Sequence, residues 1–136
     1  MTIETGLGGL ERLVGTWRLS GVATGQASYR WMDGGRFLLE ELEATHRSGH
    51  RITAVEIIGR ERPRGADESA GAITSWYFDN LGNTWRYRYE VDGDTVTIFG
   101  DGQAEPEEMR LVFGADGDTV TSDDDDGDEL TMTRVR

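Results

Sequence analysis

Along most of the chain, apolar and polar positions alternate with a period of two, in runs of five to ten residues punctuated by Gly, Asp and Asn. The longest clear case is the pair of arms around Asp33-Gly34-Gly35. Gln26 to Met32 predicts one strand and Arg36 to Thr45 a second, joined as a β-hairpin because two glycines take the positive φ that a tight, right-twisted connection needs. In the second arm Phe37, Leu39, Glu41 and Glu43 share one face and Leu38, Glu40, Leu42 and Ala44 the other, so whichever face is buried carries an acid.

The same alternation recurs on both sides of this hairpin. Leu7, Leu10 and Leu13 or Val14 stand at helical spacing, which predicts one or two helical turns over Leu7 to Val14, with Thr5 placed to cap them and Gly15 ending them. Thr16 to Ser20 begins a strand whose Trp17 and Leu19 share a face, Trp17 reading as a core anchor at the closed end of a barrel. Gly21 to Gly25 reads as a bend or hairpin. Beyond the polar connection Thr45 to His50, Arg51 to Ile58 is a strand with apolar cover on both faces, Thr53, Val55 and Ile57 opposing Ile52, Ala54, Glu56 and Ile58. Arg60 to Ala70 is charged, holds Pro63 and lacks periodicity, as an exposed loop does.

Downstream, Ala72 to Asp79 and Thr84 to Val91 flank the turn Asp79 to Asn83, and the second of these puts Trp85, Tyr87 and Tyr89 on one side. Asp92-Gly93 and Asp116-Gly117 are hairpin turns, giving strands at Asp94 to Phe99, Glu108 to Phe113 and Asp118 to Ser122, with a loop from Gly100 to Pro106. Asp128 to Val135 closes the chain, with Leu130, Met132 and Arg134 on one face.

Nine or ten short antiparallel strands that must bury one face and hide their edges close most economically into an all-β, up-and-down barrel with a short N-terminal helix; a sandwich is the alternative. A barrel that wide is not filled by its own side chains, so an internal cavity is expected. At 136 residues the chain is the size of one domain, and residues 1–136 are read as a single barrel.

Composition narrows the partners. The net charge of −12, from 26 acidic against 14 basic residues, repels nucleic acid and anionic lipid surfaces. No run of about 20 apolar residues spans a bilayer, and the N-terminus lacks the basic start and apolar core of a secretory signal. Without cysteine there is no disulfide, thiolate nucleophile or Cys-ligated metal, and a cytoplasmic protein, monomeric or homodimeric, is the simplest expectation.

The phrases LVGTWRLSG (13–21), YRWMDGGRFLLEE (29–41), AVEIIG (54–59), FDNLGN (78–83) and VDGDTVTIFGD (91–101) together resemble a family of bacterial proteins of unknown function. That family looks like lipocalin- or calycin-type barrels, the wider group that includes fatty-acid-binding and haem-binding nitrobindin barrels. The resemblance implies a ligand-holding barrel and brings no catalytic residues with it. Two departures stand out: TVTSDDDDGDELTMTRV (119–135) lacks the tryptophan of the family's final hairpin, and Arg60-Glu61 replaces a Tyr-Asp pair. Nitrobindin-like proteins hold haem through a histidine near the C-terminal strands, whereas here only His46 and His50 exist, near a turn, so neither haem nor another cofactor is expected.

Candidate chemistry centres on Glu41. If the Phe37–Leu39 face points inward, Glu41 is a partly desolvated acid fit for general acid–base work or for gripping a polar group of an apolar ligand. If Leu38, Leu42 and Ala44 point inward instead, Glu41 and Glu43 are solvent-side partners of Arg36, Arg86 or Arg88; an internal Glu–Arg pair serving only structure is a third possibility. Trp31, Phe37, Leu39, Trp76, Trp85, Tyr87 and Tyr89 are the expected ligand-contacting wall, each of the aromatics having ordinary core packing as its alternative. The entrance is expected near the loops Arg60–Ala70 and His46–His50.

Other motifs carry less. His46 and His50 have metal-ligand spacing only on a helix, and the acidic run from Asp123 to Glu129 fails as a calcium loop because Thr133 stands where the closing glutamate is required. No nucleophile elbow, Ser-His-Asp set or phosphate loop is present in the sequence. The expected function is binding of a small hydrophobic or aromatic molecule. Two alternatives are a small cofactor-free enzyme, a cyclase or isomerase of bacterial secondary metabolism using Glu41, and a structural or self-associating protein.

Overall fold

Period-two alternation becomes strand throughout, and in the computed structural model, which describes residues 7–101, 108–124 and 127–136, ten strands close into one antiparallel barrel. Thr5, most of the Gly100–Pro106 loop, and Asp125 and Asp126 of the acidic run lie outside the described residues. The strands are β1 (Gly15–Gly21), β2 (Ala23–Trp31), β3 (Phe37–His46), β4 (Arg51–Gly59), β5 (Ile73–Asp79), β6 (Thr84–Asp92), β7 (Thr95–Asp101), β8 (Glu108–Phe113), β9 (Thr119–Asp124) and β10 (Glu129–Arg134). Each pairs with the next, and β1 pairs with β10, with Trp17 opposite Arg134 and Leu19 opposite Met132. Closure leaves no free sheet edge among these strands, which is how a chain of short strands with one apolar face avoids edge-to-edge association. The architecture is of the lipocalin or calycin type, and no helix among the described residues is long and apolar enough to cross a membrane.

Two local departures from the expected elements have clear causes. The predicted helix over Leu7 to Val14 shortens to a 3-10 turn at Leu10–Leu13, because Gly8 and Gly9 both sit at positive φ ahead of it. The Gly21–Gly25 region is not a separate hairpin: β1 and β2 are joined through Val22 alone, and Gly25 lies inside β2. There a Cβ would meet the Glu43 carbonyl oxygen at 2.0 Å, so only glycine lets β2 approach β3 so closely.

One end of the barrel is sealed. Leu7, Leu10, Leu13 and Trp17 are buried there, and the Trp17 indole N–H donates to the Leu13 carbonyl at 2.8 Å. The Arg134 guanidinium lies 4.3 Å from the centre of the Trp17 ring. It donates to the carbonyls of Val14 and Arg12 at 2.8 Å each and to Asp118 at 3.2 Å, so first turn, last strand and the β8–β9 connection are tied together. The opposite end carries the turns 46–51 and 79–84.

Consecutive connections of an up-and-down barrel must lie at opposite ends. The β3–β4 turn with His46 and His50 is therefore at the open end, while the β4–β5 loop containing Arg60–Ala70 is at the sealed end. The two loops do not form one entrance, contrary to the expectation from sequence. On the outer wall, Val55 pairs with Phe78 and Ile57 with Trp76, leaving Val55, Phe78 and Trp76 exposed.

Candidate functional site

The decisive register is that of β3. Leu38, Glu40, Leu42 and Ala44 point inward with Tyr29 of β2 and with Glu56 and Ile58 of β4, whereas Phe37, Leu39, Glu41 and Glu43 point outward. Leu38 is fully buried and Glu41 is well exposed, its carboxylate 3.8 Å from Arg30; Glu43 pairs with Arg51. The assignment of Glu41, Phe37 and Leu39 to the cavity is thus corrected. With a side-chain period of two, the strongly apolar Leu38 and Ala44 decide the face, and Glu40 goes inward with them.

Inside the barrel a cavity of about 200 Å³ opens above the N-terminal turn, walled by Leu13, Leu19, Ile58, Ile98, Leu111 and Met132 among others. Room is left because the inward positions of β2, β3 and β4 include the small residues Gly25, Ala27, Ala44 and Ala54. A larger depression of about 550 Å³ lies across the outer wall near Glu41, Glu43, Val55 and Phe78. It is shallow and open, with charges that face solvent, so the interior cavity is the candidate site.

All four tyrosines of the chain, Tyr29, Tyr77, Tyr87 and Tyr89, line this cavity together with Glu40 and Glu56. Register brings them there: Tyr29 is opposite Glu40, Glu40 opposite Glu56, and Glu56 opposite Tyr77, a continuous row across four strands. The Tyr89 hydroxyl donates to Glu56, and the Tyr29 hydroxyl hydrogen-bonds Glu40. Ser75, 1% exposed and paired with Ile58 and Tyr87, is close enough to Glu56 to favour its charged form, yet its hydroxyl completes no hydrogen bond of normal geometry.

Electrostatics follow from this burial. The Glu40 carboxyl is pushed up to about 8, first by desolvation and then by the charge of Glu56. Glu56 is also raised by burial, against which Tyr89, Ser75 and Glu40 stabilise its anion, so in the neutral range the two acids hold at least one proton between them. Tyr29 and Tyr89 are held neutral by burial and by these carboxylates. The surroundings can grip a hydrogen-bonding or charged group, or shuttle a proton, against an otherwise apolar wall.

The remaining expected wall residues separate by position. Tyr87 and Tyr89 are in the cavity lining. Trp85 shares their face at the open end, about a third exposed, its ring 5.1 Å from that of Tyr77, which in turn meets Tyr87 edge-on at 6.4 Å. Trp31 is opposite Leu38 near the sealed end and packs on the core. Trp76 faces outward, where its indole donates to Glu61 and Arg86 lies 4.3 Å over its ring. Glu40, Glu56, Tyr29 and Tyr77 were missed by the sequence reading, although Glu40 and Glu56 each stood as a lone acid on an otherwise apolar face, which was the available signal.

His46 contacts Ser48 within its turn, its Nδ1 2.8 Å from the hydroxyl, and among the described residues no group of three His, Asp or Glu side chains is arranged to hold a metal.

The molecule is therefore a ten-stranded barrel of calycin type with acids and tyrosines in its cavity. No protein-family model matches the chain, and no curated protein does. Among solved structures it is similar to a de novo designed fluorescence-activating β-barrel, at 13% identity and a TM-score of 0.49, over 95% of this chain and 99% of that one. That likeness carries no argument about what this chain binds.

Proposed function

We propose that the protein binds a small hydrophobic or aromatic molecule inside the barrel. The observation that carries this reading is the cavity of about 200 Å³, apolar over most of its wall and polar at one patch formed by Glu40, Glu56 and the tyrosines. Apolar walls supply the driving force, and a few convergent polar groups set orientation. Tyr77 lines the cavity with its ring tilted 40° against that of Trp85 at the open end, so occupancy is expected to be visible in tryptophan fluorescence. Native mass spectrometry of protein from its own host, followed by fluorescence titration with whatever is released, tests the reading. Saturable quenching is expected; protein that carries nothing and takes up no apolar probe would sink it.

A second reading, a cofactor-free cyclase or isomerase, draws on the same acid pair, since a carboxyl raised to about 8 beside a second buried carboxyl is suited to moving a proton at neutral pH. Glu40 takes the role first given to Glu41. Turnover abolished by Glu40→Gln with binding retained would favour this reading over a pure carrier.

A further inference from the structure

Resting on the cavity reading, we propose that the occupant is a cation, a small primary amine or amidine on an apolar or aromatic body, with its nitrogen seated between Glu40 and Glu56.

The geometry supports this in three ways. First, the two carboxyls are a directly opposed cross-strand pair inside the barrel, and no Lys, Arg or His lines the cavity among the described residues. The groups facing the pair are Tyr29 from β2, Ser75 and Tyr77 from β5, and Tyr87 and Tyr89 from β6. Across the cavity, the N-terminal turn, β1, β7, β8 and β10 contribute only apolar side chains, and β9 contributes Ser122. On the outer wall Glu41, Glu43 and Glu61 sit beside Arg30, Arg51 and Arg86, whereas the interior pair has no positive partner among the described residues that line the cavity.

Second, the convergent polar groups of the pair are acceptors once ionised: an ammonium has three donors and no acceptor, which suits two facing carboxylates, whereas an anion is repelled and a neutral alcohol has a single donor to share between them. Third, an apolar cavity of about 150 Å³ suffices for benzene, so one of 200 Å³ has space for a ring bearing an aminomethyl group.

Protonation is coupled to this binding. Glu40 must release its proton to solvent to pair with an ammonium, so uptake of the cation expels up to one proton per site, and affinity rises with pH from 6 to 8. The amine itself stays charged over that range.

The experiment is calorimetric titration of the full chain with benzylamine, benzyl alcohol and benzoate at pH 6, 7 and 8, each in two buffers of different ionisation enthalpy. Benzylamine is expected to bind at least about 10-fold tighter than benzyl alcohol at pH 8, with proton release and with a preference that shrinks toward pH 6. Glu40→Gln with Glu56→Gln should weaken benzylamine by about 100-fold and leave benzyl alcohol within a few-fold, the pattern expected when the charged partners of a buried cation are removed. The wild-type comparison stands even if the variants do not fold. Benzyl alcohol or benzoate binding as tightly as benzylamine overturns the cation and leaves the cavity reading intact. Binding of none of the three overturns both.

Discussion

Two regions of this barrel take charge out of water, and they do so in opposite ways. At the sealed end Arg134 is stacked on Trp17 and donates to two main-chain carbonyls and to Asp118, so its positive charge meets acceptors on several sides. In the cavity Glu40 and Glu56 are like charges facing each other, softened only by hydroxyls, and they escape the penalty by keeping a proton. A buried charge that is fully paired ties elements together; one left without a counter-charge costs stability and is kept where a ligand or a reaction needs it. On the proposed reading, the contrast separates a structural from a ligand-directed use of burial within one barrel.

Breaking the sealed end should give the largest effect. Trp17→Ala removes a fully buried ring that supports both the N-terminal turn and Arg134, and should cost about 3–5 kcal/mol in denaturant unfolding, enough to threaten folding altogether. Loss of under about 1 kcal/mol would mean that the end is not the keystone described.

Next comes the acid pair, where substitution is expected to stabilise. An unfolded glutamate releases its proton near 4.5, while folded Glu40 keeps it to about 8. Over that interval the folded state binds more protons than the unfolded one, so stability falls as pH rises, by up to about 1.4 kcal/mol per unit, and levels off above 8. Asp79 and Asp118, whose carboxyls are lowered, act below this window, losing their contribution as pH falls through the acid range. Glu40→Gln should flatten the decline and gain on the order of 2–3 kcal/mol at pH 8. Unfolding curves at pH 5, 6.5 and 8 for both proteins check it; an unchanged slope would assign the pH dependence elsewhere.

A smaller loss, of about 2 kcal/mol, is expected for Arg134→Met, which keeps the apolar stem on Trp17 but strips the carbonyls of Val14 and Arg12 of their donors. Tyr89→Phe should cost about 1 kcal/mol at neutral pH by removing the donor to Glu56, and a cycle with Glu56→Gln isolates that coupling.

How much of this was legible in sequence depends on what periodicity can resolve. Alternation placed nearly all ten strands, and the Trp17 anchor and the inward set Met109, Leu111 and Phe113 were readable because neighbours two apart agreed in polarity. In β3 both faces carried leucine and glutamate, so local pattern offered no choice, and the answer came from β2 and β4, whose Ala27, Tyr29, Ile58 and Ala54 complete the core. The Glu40–Glu56 pairing is a cross-strand fact: the residues stand sixteen apart, and only the register of the β3–β4 hairpin makes them opposite. Aromatic identity misled at Trp76 for a related reason, since an indole on the outer wall can be held by Arg86 and Glu61 without any cavity. The entrance was misplaced because loop composition says nothing about the end of the barrel, whereas strand parity does.

The smallest expected effect is also the sharpest test of register. Glu41 and Glu40 are adjacent in sequence but lie on opposite faces, and Glu41 meets only Arg30 at 3.8 Å in an exposed position. An exposed pair of this kind contributes at most a few tenths of a kcal/mol. Glu41→Gln should therefore change unfolding free energy by less than about 0.5 kcal/mol and leave the pH slope and any ligand affinity as they were, while the same substitution one residue earlier alters all of them. If Glu41→Gln were instead to flatten the slope between pH 5 and 8, the strand would be turned by one residue in solution, and Phe37 and Leu39 would have to replace Leu38 and Leu42 in the core.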